Sequence, residues 1–87
     1  MSMTEAELIE TLAAQEHESW ARWQAYVHSL CAKQEDGSLL IPTARVTFWE
    51  AEIATPYTDL PDELKQFDRD EVAHILPIIR QFAGVES

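Results

Sequence analysis

The stretch TEAELIETLAAQEHESWARWQAYVHSLCAK, residues 4–33, decides the fold. Thr4 is followed three residues later by Glu7, the capping-box spacing in which each side chain satisfies a free backbone N–H at a helix start. Glu5, Glu7 and Glu10 stand near the positive end of the helix dipole. Neither Gly nor Pro interrupts the stretch. Ile9, Leu12, Trp20, Trp23, Val27 and Leu30 return to one face at the helical period. One helix of about 28 residues is expected, ending in the polar run from Lys33 to Ser38 with its turn glycine, Gly37.

Outward from that helix, Ile41-Pro42-Thr43 starts a second one, because proline at the first helical position loses nothing by lacking an N–H. Val46, Trp49 and Ile53 form its apolar stripe, and Pro56 stops it at Thr55. Tyr57 to Leu60 reads as a short extended or turn connection. Pro61 opens a third helix, with Asp62 and Glu63 in its first turn. Leu64, Val72, Ile75, Ile79 and Phe82 share one face if that helix runs unbroken, and a break near Gln66 or Phe67 also fits. Pro77 should bend it, and Gly84 should end it. The expected fold is all-α: one long N-terminal helix packed against two or three shorter helices, in one domain over residues 1–87.

The composition sets bounds on function. A chain of 87 residues, 46% hydrophobic, has material for one core and is no disordered segment. Its net charge of −10 repels phosphate polymers and anionic membranes, so broad nucleic-acid binding is excluded. A small anionic ligand held by a few local Arg residues, or a basic protein partner, stays compatible. A single cysteine, Cys31, and the absence of both a basic–apolar leader and an apolar run of membrane length point to a cytoplasmic protein.

Two carboxylates interrupt the stripes. Glu16 is four residues from Trp20 and seven from Ile9 and Trp23, while Asp68 lies midway between Leu64 and Val72. If the stripes meet in a core, both need partners, since an unpaired buried charge is costly. Alternatively both border a polar pocket walled by Trp20 and Trp23, with Arg22, Arg45 or Arg69 supplying positive charge. No nucleophile or oxyanion donor accompanies them, so no catalytic set is nominated and no enzyme is expected. No metal or cofactor is expected either. His17-Glu18 begins like a zincin motif, but the second ligand position is Ala21. His17 and His28 are about 16 Å apart along a helix axis, too far to share an ion. Trp20 and Trp23 suit either a core or a stacking platform for a base.

His17-Glu18-Ser19-Trp20-Ala21, with Leu39-Leu40-Ile41-Pro42, the block Thr55 to Lys65 (TPYTDLPDELK) and Asp68-Arg69, resembles the RyR domain, a module repeated in ryanodine receptors and found alone in bacterial and phage proteins. The segment from Ala32 to Leu40 and the helix around Trp49 depart from the receptor-type repeat. The resemblance implies an all-α, non-enzymatic module of the short phage or prophage type that binds a nucleotide or nucleotide-derived signal, acting on a host pathway in the host cytoplasm. It implies a ligand site of His17, Glu18, Trp20, Asp68 and Arg69, with Trp20 as the platform, to which the pocket reading adds Trp23. The competing expectation is an acidic interaction protein, in the extreme a DNA mimic, that engages a basic host protein. A third is a helical assembly subunit, with Phe48, Phe67 or Phe82 in a homodimer contact.

Overall fold

The computed structural model describes residues 3–84. Helix α1 runs Glu5–Ser29. The capping box forms as its spacing predicts: the Thr4 hydroxyl accepts the Glu7 N–H at 3.1 Å, and the Glu7 carboxylate accepts the Thr4 N–H at 3.0 Å. These bonds hold the Glu7 carboxyl below its ordinary range. The helix ends short of Lys33, capped at Leu30. Ala32 and Lys33 form strand β1 and pair antiparallel with Leu39 and Leu40 in strand β2. The Gln34 N–H meets the Ser38 carbonyl at 2.8 Å, the Asp36 carboxylate accepts the Ser38 N–H and hydroxyl, and Gly37 takes φ 89°. A tight hairpin thus replaces the last helical turn, because the loop satisfies its own backbone groups.

Helix α2 spans Thr43–Ile53, with Pro42 just before its first turn. A 3-10 turn at Tyr57–Asp59 leads to helix α3, Asp62–Ala83. No break occurs near Gln66. The helix also continues through Pro77, whose missing N–H deprives the Ala73 carbonyl of its helical donor. Gly84 closes α3 in the left-handed conformation at φ 72°. The fold is all-α with one small hairpin, and the long α1 packs against α3. Among the described residues no helix is long and apolar enough to cross a membrane.

The packing corrects one expectation. α3 lies along the flank of α1 that carries Leu12, Gln15 and Ser19. From Ser19, Glu16 is about 60° and Trp20 about 100° around α1. Leu12, at the edge of the apolar stripe, therefore meets the α3 seam while Trp20 lies off it, and no described side chain is buried. The molecule measures 52 × 34 × 18 Å, with a radius of gyration of 17.2 Å, against about 12 Å for a compact domain of this length.

Candidate ligand corner and the α1–α3 seam

α3 organises both polar centres of the molecule. On its α1 flank the Glu71 Oε2 atom accepts from the Ser19 hydroxyl and from Arg22 Nη2, each at 2.8 Å. The Arg22 bond, and after it the Ser19 bond, hold the Glu71 carboxyl below its ordinary range. Glu71 is half-buried and joins two turns of α1 to one turn of α3, so it fixes how the helices dock. Beside it runs a groove of about 440 Å³ lined by Ile9, Leu12, Ala13, Gln15, Glu16, Ser19, Glu71 and Ile75. The Gln15 amide nitrogen is covered there without an acceptor, a cost of about 1–3 kcal/mol if nothing else supplies one.

Arg69 lies about 200° around α3 from Glu71, on the opposite flank. There the 3-10 turn presents Tyr57. Lys65 Nζ sits over the Tyr57 ring, 5.5 Å from its centroid, a cation–π arrangement. Arg69 Nη1 donates to Asp62 at 3.0 Å and to Gln66 at 3.3 Å. The Asp62 carboxylate holds the guanidinium above its ordinary value, with a smaller contribution from Tyr57. Tyr57, Asp68, Arg69, Val72, Ala73 and Leu76 line a hollow of about 350 Å³.

The residues nominated from the sequence fall into separate places. His17 and Trp20 stack on the outer face of α1, ring centroids 5.9 Å apart and planes inclined by 27°. Trp20 is 56% exposed. Glu18 is also exposed on α1. Trp23 packs edge-on against Trp49 of α2 at 6.0 Å and against Tyr26 at 5.6 Å, where it ties α1 to α2. Asp68 and Arg69 line the Tyr57 hollow, and among the described residues no hydrogen bond or ion pair joins them to the Trp20 group.

The expected pairing of Glu16 and Asp68 does not occur: both are exposed, and neither side chain is hydrogen-bonded or ion-paired among the described residues. Glu71 takes the paired role that the spacing assigned to them. Its signal was present, since Glu71 is four residues before Ile75 and seven after Leu64, but Asp68 broke the same stripe and drew the assignment. Tyr57 and Lys65 were also missed as site residues. Both belong to the TPYTDLPDELK block, which could have named them.

Among the described residues no three His, Cys, Asp or Glu side chains are placed to hold a metal ion. No protein-family profile, curated protein or solved structure matches this chain. The likeness to the RyR domain therefore rests on the motif residues alone.

Proposed function

We propose that the chain is a non-catalytic binding module for a small nucleotide-like ligand, held at the corner between the Tyr57 turn and α3 rather than at Trp20. One observation carries this reading: an aromatic ring, a guanidinium and an exposed carboxylate line one hollow of about 350 Å³ with an apolar floor, and a second cation, Lys65, sits over the same aromatic ring. Each part has a use. The Tyr57 ring offers a face for a base, and the Val72, Ala73 and Leu76 side chains give the hollow an apolar floor. Asp68 accepts from hydroxyls, as carboxylates do at a ribose. Lys65 and Arg69 are two of only six basic residues in the chain, and both stand at this corner, where they neutralise phosphate charge. The Trp20 surface lacks that complement, because its neighbours one turn back along α1 are Glu16 and His17, while Arg22 is bound to Glu71. The resemblance to stand-alone RyR-type phage modules points the same way, towards sensing or sequestering a host signal.

The test is NMR titration of the labelled chain with AMP, ADP, adenosine and inorganic phosphate. Shifts confined to the Tyr57 and Arg69 segments, stronger with the nucleotides than with adenosine or phosphate alone, are expected. No shift at millimolar nucleotide, or shifts centred on His17 and Trp20, would overturn the assignment.

The second reading, an acidic module for a basic protein partner, is favoured by the charge of −10. Among the described residues, ion pairs engage only Glu71 and Asp62 of the carboxylates. Binding of that kind weakens steeply with added salt.

A further inference from the structure

The accessible surface of the chain is 6981 Å². A compact monomer of 9.9 kDa exposes about 5,200 Å², so this one carries an excess of about 1,800 Å². The excess is apolar in part: Ile9 is 57% exposed, Trp20 56%, Val72 49% and Ile79 48%. α1 and α3 together make a two-helix layer, and one layer cannot enclose a core. A chain without a buried side chain has little to set against the conformational entropy of folding.

We propose that this chain folds as a symmetric homodimer in which the α1–α3 layers of two copies face each other and close a four-helix core. On α1, Ile9, Ala13 and Trp20 lie within about 40° of one another, and on α3, Val72, Ile75 and Ile79 lie within about 60°. Both sets flank the groove that Ile9, Ala13 and Ile75 line. The missing burial has the size of a dimer interface: two copies covering their excess remove at most about 3,600 Å², against the range of about 2,000–5,000 Å² of obligate homodimers. The occupant is a second copy because every molecule of this chain lacks the same interior. The partner present wherever the chain is made, in matching amount, is itself, and a two-fold interface lets one patch complete both. Four helices in two antiparallel or crossed layers are a recurrent closed arrangement. The Tyr57 corner borders this face at Val72, but the interface is argued from Ile9, Ile75 and Ile79, so the proposal does not rest on the ligand reading, nor that reading on it.

The experiment is sedimentation equilibrium of the full chain, with Ile9→Asp and Ile79→Asp beside the wild type. The wild type is expected at twice 9.9 kDa. Each substitution places an unpaired carboxylate in apolar contact twice per dimer, so dissociation constants should rise on the order of 100-fold or more. Because such variants could lose their fold with the dimer, isotope-filtered NMR on a mixture of labelled and unlabelled wild type supplies a second reading. Intermolecular contacts are expected from the Ile9, Ile75 and Ile79 methyl groups. A folded wild-type monomer at 100 μM overturns the proposal. So does a dimer indifferent to both substitutions, or one whose intermolecular contacts come from α2 or the hairpin. A wild type that stays unfolded alone overturns it in favour of a foreign partner.

Discussion

The two flanks of α3 carry the same kinds of residue and use them differently. On the α1 flank, the carboxylate of Glu71 is saturated by Ser19 and Arg22 from another helix. On the Tyr57 flank, Arg69 is held by Asp62 and Gln66 of its own helix, and Lys65 meets only an aromatic face. Bonds between elements convert charge into docking geometry. Bonds within one helix hold a side chain in place while leaving donors over; Arg69 has five N–H groups, and among the described residues its hydrogen bonds use Nη1. The first flank is therefore structural, and the second is open to a ligand.

The largest expected effect breaks the open flank. Tyr57→Ala should weaken nucleotide binding tenfold or more, since stacking contributes about 1–3 kcal/mol per base, and Arg69→Gln should remove the preference for phosphorylated ligands. Neither should move the thermal midpoint appreciably, because both side chains lie outside the α1–α3 seam. Calorimetric titration with ADP beside thermal unfolding checks the pair. A large fall in stability would make this flank structural too.

Next in size, Glu71→Ala breaks the docked flank. The Arg22–Glu71 pair is about two-fifths exposed on both sides, so solvent screens it, and the expected loss is about 1 kcal/mol in urea unfolding. Its pH dependence has a definite sign. The folded carboxyl is depressed below the ordinary glutamate value of 4.5, so its stabilisation is fully present above that value and is lost as pH falls through the folded pKa. Glu71→Gln should flatten that acid limb of the stability profile and leave the slope near neutrality unchanged. An unchanged acid limb would mean that Glu71 is not held in solution.

Much of the fold was legible in the sequence because it is local. The Thr4–Glu7 cap, the proline starts and Gly84 each act through the nearest turn. The hairpin escaped notice because periodicity registers side-chain faces, whereas Ala32 and Lys33 leave the helix for backbone bonds to Leu39 and Leu40. The site was half legible. Asp68 and Arg69 stand at the hollow proposed for a ligand, but spacing along one helix could not show that α3 would meet α1 at Ser19. That choice leaves Trp20 outside the hollow that Arg69 lines.

The smallest expected effect tests that rotation directly. If the stripe through Trp20 formed an enclosed core, Glu16→Ala would cost about 1–3 kcal/mol by orphaning a partner. With Glu16 exposed at the mouth of the α1–α3 groove, the cost should stay within about 0.5 kcal/mol, as for surface substitutions generally. The groove adds a second readout. A carboxylate beside Ile9 and Trp20 opposes apolar contact between copies, so Glu16→Ala should tighten self-association even as single-chain stability holds. Urea unfolding and sedimentation on the same variant separate the outcomes. Lower stability with unchanged association would place Glu16 in a paired interior and return α1 to the register that its stripe suggested.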